Sequence, residues 1–262
     1  MIRRFKLKNK FTILGCGSSL GSPWITKYRG KLSANTKNLR TRCCAHIQKG
    51  KLSVLIDTSP DIKYQFLKNK IGSLDAIIYT HEHADQTSGI FEMRPFVWKN
   101  KKKIPIYGSK RTINQLKKKY TFCFLERHGY KPIMTAKKIM NKFIIKKNKS
   151  KLFLHAIDVD HGQIKATGYI IMNKIAYISD CNGISKKNLR HLYNIDFLII
   201  DCLKEIKHPS HFNYAEVLDL IKKVKPKKTI LTNLHTDLDY FKLKKRLPKN
   251  IVPAYDGMYF KF

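Results

Sequence analysis

This chain of 262 residues lacks most of the features that mark membrane, secreted or fibrous proteins. Long apolar runs are missing: the stretch 197–200 is typical, far below the ~20 residues that span a bilayer. After the basic residues 1–10 the apolar stretch is 11–14, too short for the core of an export signal. No export, a cytoplasmic location and no membrane partner are therefore expected. Cysteine is sparse for a disulfide scaffold. The six residues Cys16, Cys43, Cys44, Cys123, Cys181 and Cys202 form no C-x-x-C pair, and free thiols in a reducing compartment follow. Glycine (13) and proline (9) are too few and too scattered for a low-complexity linker, and no repeat of solenoid length occurs. Negative charge is the largest deficit. Asp and Glu number 18 against 53 Lys and Arg, a net charge of +35. Such a surface attracts nucleic acid, anionic lipid or phosphorylated ligands. Yet 43 of the basic residues are Lys and 10 are Arg, and Ile and Asn are plentiful; a coding bias toward A and T gives the same composition.

What is present is a globular balance, 43% apolar and 27% charged. Strands are expected at 11–14, at 43–48 and 52–56 as a hairpin, at 76–79, 105–107, 137–148, 151–158, 168–172, 175–178, 197–202 and 229–231, and in the tail 251–262. Helices are expected at 60–68, 112–119, 213–224 and 239–246. Sheet and helix alternating with hairpins means α/β or α+β. One domain over 1–262 is expected, with the Lys-rich, poorly patterned stretch 99–151 as an insertion. Within it Tyr120, Phe122, Phe124 and Tyr130 fit a buried strand or a set of base-stacking platforms equally well.

The densest chemistry is Thr80-His81-Glu82-His83-Ala84-Asp85-Gln86, directly after the apolar run 76–79. Two imidazoles at i and i+2 with a carboxylate at i+4 are ligands for Zn, Mn or Fe, and a strand-to-loop junction aims them at one point. The plain alternative is a chance cluster of polar loop residues, which the strand context disfavours. Later come His161 in Asp160-His161-Gly162, Asp180 in Ile178-Ser179-Asp180 and His235 in Asn233-Leu234-His235, each after an expected strand. Singly, each reads as a cap or a turn residue. Asp201 closes an apolar run, and His208-Pro209-Ser210-His211 precedes the amphipathic helix. The loop from Gly15 to Gly21 has one residue too many for a dinucleotide fingerprint and reads as a tight loop beside the site. Asp57 is placed to orient a ligand histidine. Arg94 is placed to neutralise a substrate phosphate, or else is solvated. Asp61 reads as a first-turn helix acid, and Asp237 and Asp239 as capping and surface groups.

The stretch from Thr80 to Gln86 resembles the H-x-H-x-D-H signature of the metallo-β-lactamase superfamily, and His161, Asp180 and His235 match its later ligands in order. The resemblance covers nearly the whole chain and implies a four-layer αβ/βα sandwich. It implies two divalent cations, Zn or Mn: one on His81, His83 and His161, the second on Asp85 and His235, with Asp180 shared and a bridging hydroxide attacking phosphorus. Asp85 would thereby also serve catalysis. Gln86 stands where the signature has histidine. A neutral carbonyl oxygen is a weaker ligand, so the second site is expected to be weaker, to favour Mn or Mg, or to use Gln86 beside the ligands. His211, and after it His208, matches the proton donor of the phosphodiesterase branch, where an alkoxide leaving group needs an acid. Within that branch the chain is similar to the phosphoribosyl cyclic phosphate phosphodiesterases and, more distantly, to the tRNA 3′-processing endonucleases. The former carry a structural zinc on a cysteine cluster; residues 23–41 hold no cysteine, so none is expected here. The implied activity is hydrolysis of a small cyclic or nucleotide-like phosphodiester. The alternative is a metal-dependent ribonuclease or single-strand nuclease with RNA on the basic surface. A non-enzymatic nucleic-acid-binding protein with a degraded metal site, for which Gln86 speaks, and a thioester or lactam hydrolase are weaker readings, and His211 argues against the last. A homodimer is implied by the resemblance alone.

Overall fold

The computed structural model describes residues 9–126 and 129–262. The first half of the chain forms β1 (Lys10–Gly15), β2 (Cys44–Lys49), β3 (Leu52–Ile56), α1 (Ile62–Lys68), β4 (Ala76–Ile78), α2 (Ala84–Thr87), α3 (Arg94–Asn100), β5 (Ile104–Gly108), α4 (Lys110–Lys119) and β6 (Met134–Lys138). The second half forms β7 (Lys142–Lys147), β8 (Ser150–His161), β9 (Ile164–Ile171), β10 (Ile175–Ile178), α5 (Lys186–Leu189), β11 (Phe197–Asp201), α6 (Tyr214–Val224), β12 (Lys228–Thr232), α7 (Tyr240–Arg246) and β13 (Ile251–Pro253). β14 (Tyr259–Lys261) returns to the first sheet. Two mixed seven-stranded sheets result, ordered β14-β1-β2-β3-β4-β5-β6 and β13-β12-β11-β10-β9-β8-β7.

Side-chain alternation makes these sheets the middle layers of four. In β11, Ile199 packs into the core shared by both sheets, with Ile13, Val54, Ile78 and Tyr177. Its neighbours Leu198 and Ile200 face the other way, toward Val217, Ile221 and Leu243 of α6 and α7. In β4, Ile78 faces the second sheet. Ile77 faces Ile62, Phe66 and Leu116 of α1 and α4. Strands buried on both faces therefore read as continuous apolar runs, and three apolar cores separate four layers.

Each half contributes consecutive parallel strands, β3 to β6 and β10 to β13. The carboxyl ends of such strands open toward loops, where ligands bind in open α/β sheets. α6 starts where a helix should. The Asn213 side chain accepts from the Glu216 backbone N–H at 2.9 Å, and the Glu216 carboxylate accepts from the Asn213 N–H at 3.1 Å. This capping box fixes the loop carrying His211 onto the helix. Asn213→Ala should lower stability by about 1 kcal/mol, read as a shift of the urea midpoint at unchanged slope; an unmoved midpoint would remove the cap from the account.

The expected strand 137–148 is instead two, β6 and β7, in different sheets. The chain leaves the first sheet at Lys138 and enters the second at Lys142, and residue alternation carries no mark of a sheet change. The tail divides likewise into β13 and β14 on opposite sheets. α2, α3 and α5 are additions to the expected helices; at four to seven residues they are too short to show a helical period. Tyr120, Phe122, Phe124 and Tyr130 form no buried strand. Thr121–Cys123 is a single 3₁₀ turn, with Phe122 45% and Tyr130 60% exposed. Asp61 precedes α1 and pairs with Arg42 at 3.1 Å rather than serving the helix from its first turn. Asp239 does cap α7, accepting from the N–H of Phe241 and Lys242. No helix among the described residues is long and apolar enough to cross a membrane.

Candidate metal centre and active site

Loops from both sheets meet at one edge. β4 leads into His81 and His83, β8 ends on His161, β10 leads to Asp180, β11 ends on Asp201, and β12 leads to His235. The rings of His81, His83 and His161 stand edge to face with centroids 4.5 to 5.0 Å apart. A nitrogen from each lies within 4.8 Å of the others, and His161, Asp180 and His211 form a second such group. His161 Nε2 and His83 Nδ1 are 3.2 Å apart.

The protons on these rings follow from their partners. The Thr80 hydroxyl donates to Asp57 Oδ2 at 2.9 Å, so at 3.0 Å it accepts from His81 Nδ1–H. His81 Nε2 is thus the lone-pair nitrogen, and it is buried without any hydrogen-bond partner. His161 Nδ1–H donates to the Ser210 carbonyl at 2.8 Å, so its Nε2 carries the lone pair, turned toward His83 Nδ1. Burial holds His81 at about 3, well below an ordinary histidine, and His161 and His83 add to this. His83 is likewise lowered by burial and by His161. Neutral imidazoles are what a divalent metal requires. On the carboxylate side burial, then Asp180, pushes Asp85 up to about 6. Asp180 itself is lowered: burial opposes its charge, but His81, His211 and His161 outweigh that. Gln86 Nε2 lies 3.3 Å from both Asp85 Oδ2 and Asp180 Oδ2, and its buried Oε1 has no partner. Crowded carboxylates, lone-pair nitrogens and two buried partnerless acceptors are the chemistry of a divalent cation site, and these residues fit one.

A second arrangement adjoins it. His211 Nδ1–H donates to Asp201 Oδ2 at 2.6 Å, and its ring lies 4.8 Å from that of His161. Asp201 is fully buried at the end of β11 and also accepts from the Cys181 backbone and Asn233 Nδ2. Burial pushes Asp201 up to about 7, although His211 opposes this. Burial works against charge on His211, but the Asp201 carboxylate lifts it to about 9.

The other residues singled out by their place in the sequence fall around these groups. Asp57 reaches the histidines through Thr80 rather than directly. His235 lies outside the two groups; its Nδ1 is 3.1 Å from Asp237 Oδ2, and its backbone neighbour Leu234 bridges to Gly17 of the glycine loop. Asp85 also lies outside them, one contact from Asp180 through Gln86. The His208 ring lies tilted against that of His211, with centroids 5.1 Å apart. Arg94 begins α3, with its guanidinium over the rings of Phe91, Trp98 and Tyr130. Asp201, Asn233 and Thr80 carry roles in the site that the sequence pattern does not assign. For Asp201 the available signal is an acid closing a buried apolar run.

A cluster of imidazoles and carboxylates where two sandwiched sheets join defines a metallo-β-lactamase-fold hydrolase. The Beta-lactamase superfamily domain matches residues 53–233, and the chain belongs to that superfamily. Among solved structures, a diphosphatase from the PhnP family is 27% identical with a TM-score of 0.87, covering 97% of each chain. Human tRNase Z, short form, is 15% identical (TM-score 0.69, 96% of this chain and 98% of that one), and Zn²⁺-bound PqqB from Methylobacterium extorquens is 13% identical (0.76, 97% and 100%). These two share the fold. A Porphyromonas gingivalis protein described as an octanoyltransferase is 28% identical over 252 residues, which make up 94% of this chain and 50% of that protein. The chain thus spans about half the length of the curated relative it matches.

Proposed function

We propose that this chain is a metal-dependent phosphodiester hydrolase acting on a small cyclic or nucleotide-like substrate. The observation that carries the reading is the His211–Asp201 pair beside the three-histidine cluster. A proton donor with a buried carboxylate behind it suits a reaction whose leaving group is an alkoxide. Likeness to a PhnP-family diphosphatase supports chemistry at phosphorus. His81, His83 and His161 would hold one divalent cation, Zn or Mn. Asp180, Asp85 and His235, with Gln86 beside them, would hold a second. A cation there supplies Lewis acidity, activating water and taking up charge on a phosphoryl oxygen. The chain's own groups do the rest. The Asp57–Thr80 relay and the Ser210 carbonyl fix the ring tautomers of His81 and His161. Asp201, steadied by Asn233, holds the His211 ring through Nδ1–H, which leaves the Nε2 proton for the leaving oxygen.

The test is turnover of bis(4-nitrophenyl) phosphate by protein loaded with Mn or Zn. Folded protein inactive with both metals would sink the proposal. A second reading, an RNA substrate, is favoured by the net charge of +35. Were six or more phosphates contacted, binding of a short single-stranded RNA should weaken roughly three-hundredfold or more between 50 and 200 mM salt, while a small phosphodiester should be nearly indifferent. A flat salt profile with RNA would remove the nuclease reading.

A further inference from the structure

Beside the loop that carries His81 and His83 lies a cleft that none of the candidate metal ligands lines. Its volume is ≈ 640 Å³, within the range of small-molecule sites, and Phe91, Arg94, Phe122, Tyr130 and Lys131 line it. It connects to the centre through consecutive contacts. The Thr87 hydroxyl donates to the His83 carbonyl at 2.9 Å and therefore accepts from Tyr120 Oη at 3.0 Å. The Tyr120 ring meets Phe122 edge-on at 6.4 Å, and Phe122 meets Phe91 at 5.5 Å.

Large aromatic side chains ordinarily hide. Here Phe91 is 46%, Phe122 45% and Tyr130 60% exposed, all on one cleft. The Arg94 guanidinium lies 5.6, 4.7 and 5.3 Å from the ring centres of Phe91, Trp98 and Tyr130, so its plane is packed by rings. Among the described residues, the charged groups lining the cleft, Arg94 and Lys131, are both cations. Aromatic faces with cations at their rim complement a ligand that is planar at one end and anionic at the other. A second copy of the chain is the poorer occupant, because each copy would bring the same two cations on a body of charge +35.

We infer that this cleft holds the nucleoside portion of the substrate, its base stacked on Phe122 and Tyr130 and its anionic side met by Arg94 and Lys131. The inference rests on the phosphodiesterase reading and narrows its substrate class to nucleotide-containing phosphodiesters. It also gives Arg94 a role in holding the ligand at a distance from the reacting phosphorus.

The experiment compares AMP with ribose 5-phosphate by isothermal titration, since both carry a phosphate on ribose and AMP alone has a base. AMP should bind at least about tenfold more tightly, the scale of one stacked base. Phe122→Ala and Tyr130→Ala should each erase most of that preference, whereas Tyr130→Phe should keep it. AMP should also change the fluorescence of Trp98, which packs on Arg94, in wild-type protein and in Trp24→Phe. Equal affinities in the wild type, no AMP binding, or a preference that survives both alanine changes would overturn the inference. A dimer that both alanine changes dissolve, without AMP preference, would assign the cleft to self-association instead and overturn it too. Bis(4-nitrophenyl) phosphate turnover without AMP preference would sink the cleft alone. AMP preference without any phosphodiester turnover would sink the hydrolase reading and leave the cleft a nucleotide site.

Discussion

His211→Ala should slow hydrolysis of an alkyl phosphodiester by about 10²- to 10⁴-fold, and slow release of 4-nitrophenolate far less. The difference follows from the leaving groups. An alkoxide is too basic to depart without a proton, and 4-nitrophenolate departs readily as an anion. His211 is built to hold a proton, because the fully buried Asp201 carboxylate stabilises its charged form from 2.6 Å. Asp201→Asn keeps the shape and removes that support, so it should reproduce part of the defect with the same dependence on leaving group. The measurement is kcat on paired substrates that differ in the leaving group alone, with metal content determined alongside. An equal loss on both substrates together with lost metal would make His211 a ligand, which its place in the second group of metal-competent side chains allows.

His81→Ala should slow hydrolysis of every substrate, whatever its leaving group, roughly 10³-fold or more, the several kcal/mol that a Lewis acid contributes. The side chain is fully buried, and its bare Nε2 has no other partner to lose. Thr80→Val separates the ligand from its support. It removes the hydroxyl that bridges Asp57 to His81 Nδ1 while keeping the volume. Metal affinity should then fall about 10- to 100-fold, the usual effect of losing an outer-sphere partner. Retained turnover in His81→Ala with unchanged metal content would move the centre elsewhere.

Much of this is legible in the chain, and the legible part has a common cause. The runs 52–56, 76–79 and 197–202 stand out because their strands are buried on both faces, and each ends at or beside a residue whose polarity breaks the run: Asp57, Thr80 and Asp201. The spacing from His81 to Gln86 is local, so it survives in the sequence. Other features are relations between distant residues and leave no local mark. The Thr80 hydroxyl gains its meaning from Asp57, 23 positions earlier, and the Ser210 carbonyl from His161, 49 positions away. The crossing between β6 and β7 reads as one strand because alternation continues while the chain changes sheets. The aromatic residues near Phe122 are ambiguous in sequence because a stacking platform and a buried strand draw on the same residue types, and exposure alone separates them.

The two sheets each supply part of the centre. His81 and His83 follow β4 of one, and His161, 78 positions beyond His83, ends β8 of the other. A cation bound by all three would act as a cross-brace between halves that otherwise meet through apolar packing. Its binding energy is then folding energy, about 4 kcal/mol at a thousandfold excess over the dissociation constant. Stripped of it, the same histidines and carboxylates would face one another across the joint with their charges and lone pairs uncompensated. With such a cation the thermal midpoint of this protein would become a gauge of metal supply, and cells short of that metal would hold less of the folded chain.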